Sequence, residues 1–227
     1  MFESPSSQHT VGRLAWTAAW VGLVVGQLHA LARHNTADGA GDLSSPLTRF
    51  WSDPARSALR PLLDWADVDT VYLTYGKIWL PVFAAFTACA FVVRRRRSPV
   101  GFERWAWRVA LTGYVGACIG VFLDYYTQWT SYLPDAVAGP MFIVTIVALL
   151  LTLVGSTLLG IALLRRGGTA KTPAWLLALT IPLAFGALQF TSMGSAALPV
   201  MFAFGLLGRR IAREQAYAPV VTAPANA

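Results

Sequence analysis

Apolar stretches long enough to cross a bilayer recur along this chain, and their flanks alternate between arginine clusters and acid-bearing segments. Arg94–Arg97 close one stretch, Arg165 and Arg166 another, and Arg209, Arg210 and Arg213 the last. Between them lie segments carrying Asp38, Asp42, Asp53, Asp64, Asp67 and Asp69, or Asp124 and Asp135. Basic loops are retained on the cytoplasmic side of a membrane, so this alternation predicts an all-α integral membrane protein, a polytopic helical bundle. Its lipid partner is the bilayer itself.

A helix needs ~20 residues to cross the hydrocarbon layer. On that measure the spans fall at about 14–32, 71–93, 109–129, 141–164, 173–190 and 195–210, six in all, with 1–13 as a cytoplasmic amino-terminal segment. The last two come from one run, Thr172 to Gly208, which has no formal charge and is too long for a single crossing. Ser, Gly and Thr cluster between Thr191 and Ser195, and the break is expected there. With the amino terminus inside, inner segments hold thirteen of the 18 cations and three of the 11 acids. That predicts N-in, C-in. Trp105, Trp107 and Trp175 then fall at the inner boundary, and Tyr72, Tyr75, Trp79, Tyr125, Tyr126, Trp129 and Tyr132 at the outer one, as an aromatic belt requires.

Ala30-Leu31-Ala32 resembles a signal-peptidase site, but the apolar run before it is longer than the usual ~7–15 residues. The first span is therefore expected to remain. The net charge of +7 does not point to nucleic acid, because the cations sit at the ends of apolar runs and not on one solvent face. Cys89 and Cys118 fall inside spans and read as small buried residues. The segment 212–227 is Ala/Pro-rich and is expected to be a disordered cytoplasmic tail.

The outer loop, 33–70, contains Ser45-Pro46 and Asp53-Pro54, each a cap followed by proline at a first helical position. Short interfacial helices are expected there, the second running through Arg56, Arg60 and Asp64. Small residues spaced for close helix contact occur at Gly22/Gly26/Ala30, Gly116/Gly120 and Ser156/Gly160, either within the chain or with a partner. No internal repeat relates the two halves.

Few residues can carry chemistry. An ionisable side chain inside a span is a functional candidate because burying it is costly. Lys77 and Asp124 lie at similar depth near the outer boundary, and an ion pair between them is expected. His29, Tyr75, Tyr125 and Gln128 are at the same level and complete the candidate ligand or ion site, with Gln27 and Gln189 as further polar neighbours. His29, His34 and Asp38 suggest a metal site only weakly, since five residues turn the two histidines apart and zinc wants three or four converging ligands. No metal or other cofactor is predicted. The chain lacks H-E-x-x-H, G-x-S-x-G and P-loop motifs, so the reading leans away from an enzyme.

Three functions remain. The first is a non-catalytic accessory or assembly partner of a membrane complex, or a homo-oligomer, using the small-residue helix faces as contacts. The second is a small-molecule or ion transporter or receptor with an outward-facing site around Lys77 and Asp124. The third is an intramembrane lipid-modifying enzyme using the same cluster.

Overall fold

A computed structural model describes residues 4–128, 133–191 and 193–216. All of its regular elements are helical. The helices are α1 (Pro5–Arg33), α2 (Pro46–Ala58), α3 (Arg60–Leu63), α4 (Val68–Gly76), α5 (Trp79–Arg97), α6 (Gly101–Val121), α7 (Asp135–Arg166), α8 (Lys171–Ala178), α9 (Thr180–Leu188) and α10 (Leu198–Ala216). Short 3-10 segments cover Asp38–Ser44 and Met193–Ala197, and a π turn, Phe122–Tyr126, closes α6. Among the described residues five helical units are long and apolar enough to cross a membrane, or six if the bent pair α8/α9 counts as one span.

These units overlap the six predicted spans but start earlier. The first begins at Pro5 and the third at Gly101, because hydropathy marks only the apolar middle of a helix that continues into its polar flanks. Trp129 and Tyr132, with most of the predicted tail, lie outside the described residues.

Prolines decide where the units bend. Each proline lacks an N–H and clashes with the carbonyl four residues earlier. Pro182 accordingly breaks the fifth unit after Ala178, where α8 and α9 meet at 63°. Thr180 adds to the bend by donating its hydroxyl to the Leu176 carbonyl at 3.2 Å. The sequence reading placed only one break in this run, near Thr191–Ser195. The helix does end there, α9 stopping at Leu188, but the bend at Leu179 is additional. Pro81 acts on Lys77 in the same way and separates α4 from α5. Asp53-Pro54, by contrast, does not start a helix. The α2 helix runs through it and ends at Ala58, just before Pro61.

α10 is the most enclosed unit, with 72% of its apolar window buried, and it packs on α1, α5 and α8. α7 is peripheral, with 11% buried, and lies along α6. The small residues predicted to mark helix contacts are used inside the chain. A Cβ on Gly26 would lie 2.6 Å from the Trp79 ring, one on Gly120 2.7 Å from Thr145 Oγ1, and one on Gly160 would strike the Ala178 backbone. Ser156 shares a 2.8 Å hydrogen bond with Tyr114.

The middle of the bundle is an aromatic block. Phe86, Tyr114, Phe204 and Trp107 pack ring on ring, with Tyr114 and Phe204 centroids 5.6 Å apart. Trp107 is fully buried, so it belongs to this core and not to a boundary belt, whereas Trp105 and Trp175 are exposed. Towards the basic end of the bundle, Glu103 joins α5, α6 and α7. Its carboxylate accepts from Arg97 at 2.8 Å, Arg166 at 2.7 Å and Trp107 Nε1 at 3.3 Å.

Candidate functional site

The opposite end of the bundle is hollow. A cavity of about 370 Å³ is enclosed by the end of α1, by α4, the π turn, α7, the chain around α9 and the loop over them. Beneath it lies an annex of about 60 Å³. The two share Tyr125, Leu149, Met193 and Gly194 as walls, and the aromatic block lies deeper still.

The wall is built around His29. The Trp79 indole N–H donates to His29 Nδ1 at 3.2 Å. A ring nitrogen that accepts carries no proton, so this bond fixes the tautomer with hydrogen on Nε2. Tyr72 stacks on the imidazole at 4.8 Å, Tyr125 meets it edge-on at 5.3 Å, and the two tyrosine hydroxyls share a 3.2 Å hydrogen bond. Trp79, Tyr72 and Tyr125 were read from sequence as belt residues. They are cavity walls, because Gly26 and Gly194 leave room for the Trp79 ring to lie inside the bundle.

The π turn aims two other residues. Such wide turns often mark functional sites. It sends Tyr125 into the cavity and Asp124 towards α7, where Asp124 Oδ2 accepts from Thr145 Oγ1 at 2.8 Å. Among the described residues no ion pair joins Lys77 to Asp124, so the expected pairing is not seen. The Lys77 carbonyl, to which Pro81 supplies no N–H, accepts from the Leu80 N–H at 3.3 Å and from the Tyr126 hydroxyl at 3.1 Å. Similar depth in two helices fixed height but not direction around the helix axis. Thr152 also faces the annex, fully buried, and its hydroxyl has no hydrogen-bond partner.

Of the six ligand candidates, His29 and Tyr125 line the cavity and Asp124 the annex. Lys77, Tyr75 and Gln128 do not belong to either wall. Tyr75 donates to the Leu62 carbonyl at 2.7 Å within the loop. Gln128 ties the π turn down, donating to the Asp124 carbonyl at 2.8 Å and accepting from the Leu133 N–H at 3.1 Å. Gln189 lines the cavity, and Gln27 does not. The sequence reading missed Arg33, Tyr72, Trp79, Thr145 and Thr152. The signal for Arg33 was available: it is the one cation within five residues of His29, at the mouth of the same helix.

The loop covers this end. Arg33 Nε is 2.8 Å from Asp42, which pins the Asp38–Ser44 segment. His34 Nδ1 and Ser52 share a 2.8 Å hydrogen bond, and Thr48 donates to the Gln189 carbonyl at 3.1 Å, linking α2 to the end of α9. Burial holds the His34 imidazole below its ordinary pKa. Nearby Arg56 and Arg33 act in the same direction, while Asp42 and Asp53 oppose them. The α2 helix is inverted relative to a soluble one. Thr48 and Ser52 face inward, while Leu47 and Phe50 face out, Phe50 being 86% exposed.

His29 and His34 both border the cavity, but Asp38 is an exposed residue of the loop. Among the described residues no three His, Cys, Asp or Glu side chains gather around one point. No family model, curated protein or solved structure matches the chain.

Proposed function

We propose that this chain is a multi-pass membrane protein, with both termini cytoplasmic, that binds a small amphipathic molecule in an outward-facing cavity and acts as a receptor or carrier for it. The observation that carries the reading is the two-part cavity. Small-molecule sites are concave, mostly apolar, of about 300–1,000 Å³, with a few polar groups that orient the ligand. The upper chamber has that size and offers the Arg33 guanidinium and the Tyr72–Tyr125 hydroxyl pair. The annex offers Phe83, Val121 and Ala117 with two polar points, Asp124 and Thr152. An acceptor-bearing head suits the first and a short apolar group bearing one hydrogen-bonding atom suits the second.

The accessory-subunit reading is not favoured by the packing of the glycines. It rested on small-residue helix faces available to a partner, and those faces are filled by this chain's own helices. An open conduit is also disfavoured, because the aromatic block of Phe86, Tyr114, Phe204 and Trp107 lies beneath the annex. The outward apolar side of α2 suits the headgroup region of a bilayer, from which an amphipathic ligand would enter.

The test is ligand-linked stability. A ligand that binds only the folded state raises the melting temperature. Fractionated extracts of the native membrane are screened against the purified chain in nanodiscs. One fraction should stabilise the wild type and leave Leu149→Trp unmoved, since Leu149 borders both chambers. A fraction that stabilises both equally, or none that stabilises either, would refute the reading.

A further inference from the structure

A second site lies at the opposite end of the bundle and does not depend on the cavity. Gly12 and Gly208 bring α1 and α10 together backbone to backbone, which splays the side chains beside them into a groove of about 280 Å³. Its walls are His9, Arg13, Trp16, Arg209, Ala212 and Arg213.

Unlike Arg96, Arg97, Arg166 and Arg210, these three arginines have no carboxylate partner among the described residues. Arg96 and Arg210 share Glu214, and Arg97 and Arg166 share Glu103. Among the described residues no ion pair involves Arg13, Arg209 or Arg213, and all three are exposed. Arg209 lies over the Trp16 ring, 5.0 Å from its centroid, at the wall of the groove.

Aromatic rings continue from the charged end along the helices. Trp16 meets Trp20 edge-on at 5.6 Å, and Trp20 meets Phe202 edge-on at 5.2 Å. His9, Arg13, Trp16 and Trp20 recur at helical spacing on one face of α1, and Phe202, Arg209 and Arg213 do so on α10. Both helices therefore run from cations to rings in the same direction, over about 10 Å from Arg13 to Trp20. A free anion needs only the charged end. A headgroup with a chain attached needs both.

We infer that this groove binds one anionic phospholipid. Its phosphate is held by Arg13, Arg209 and Arg213, and one acyl chain lies along Trp16, Trp20 and Phe202. Unmatched cations between helices at a membrane surface recognise such headgroups.

The chain is reconstituted in nanodiscs containing equal amounts of phosphatidylglycerol and phosphatidylcholine, and retained lipid is counted by native mass spectrometry. The wild type should keep one phosphatidylglycerol. Arg13→Gln should lower that occupancy about fivefold, and Arg13→Gln/Arg209→Gln/Arg213→Gln about a hundredfold. Arg104→Gln/Arg108→Gln, which adds neutral residues at the same end outside the groove, should leave it unchanged. Should the triple variant not fold, the single Arg13→Gln variant gives the same readout at one exposed position. Trp20→Ala/Phe202→Ala should weaken phosphatidylglycerol as well. Equal retention of the two lipids, or retention by the arginine variants, would overturn the assignment. So would displacement of the lipid by inorganic phosphate with Trp20→Ala/Phe202→Ala indistinguishable from wild type, which would mark a site for the free anion.

Discussion

Replacing Glu103 by Gln removes the charge that ties three helices together while keeping the side chain's size. Glu103 is only 3% exposed and faces Arg97, 15% exposed at the side chain, and Arg166, 41% exposed. Removing one partner of a buried pair costs about 3–5 kcal/mol, chiefly through the charge left without compensation. Here the two arms differ. Arg166 can rehydrate, so its arm resembles a surface pair worth at most ~1 kcal/mol. Arg97 is enclosed, but it also donates to Thr169 and, at 3.2 Å, to the Gly167 carbonyl, which spare it part of the penalty. The expected loss is about 2–3 kcal/mol, at and below the lower end of the buried range. Equilibrium unfolding in mixed micelles measures it. The cycle with Arg97→Met should show strong coupling, the double variant losing less than the two singles together, since no lone charge remains. A loss below about 0.5 kcal/mol, or strictly additive effects, would show that this cluster does not pin the helices.

Three further outcomes are expected. Because burial lowers the His34 pKa in the folded state, the unfolded loop binds more protons, so stability is full above pH ~6.5 and falls as pH drops below it; hydrogen-exchange protection across residues 38–64, after division by the intrinsic exchange rate at each pH, should fall as pH is lowered through the range in which His titrates, and His34→Gln should flatten that response. Gly160→Val should abolish folded protein because its Cβ would strike the Ala178 backbone, whereas Gly186→Ala, facing open space, should gain up to ~1 kcal/mol in unfolding titrations. Pro182→Ala should restore an N–H to the Ala178 carbonyl and straighten the 63° bend, and double electron–electron resonance between labels on α8 and α9 should report a longer separation.

Hydropathy made the spans legible because every residue of a membrane-crossing helix contributes to the same signal. The bend at Leu179 was also written in the sequence, at Pro182, but only as a constraint on a carbonyl four residues away. Lys77 shows the limit more sharply. Its depth matched that of Asp124, yet pairing depends on the direction each side chain takes around its helix, and the π turn redirects Asp124 to Thr145. Tyr72, Trp79 and Tyr125 were legible as aromatic residues at the right height. The Trp79 ring turns inward because Gly26 and Gly194 are small at its level, and Gly76 does the same for Tyr125, which only the packed helices reveal. Arg33 carries a weaker signal: composition alone does not separate an arginine at a span end from one that marks topology, and only its closeness to His29 in sequence does.

The cavity is the centre of this account, and the most direct measurement is native mass spectrometry of the chain released gently from its own membrane, with chemical identification of what it carries. One small amphipathic molecule per chain is expected in the wild type, much depleted in Arg33→Gln and absent in Leu149→Trp. A bare wild-type chain, or the same molecule at equal occupancy in all three, would contradict it.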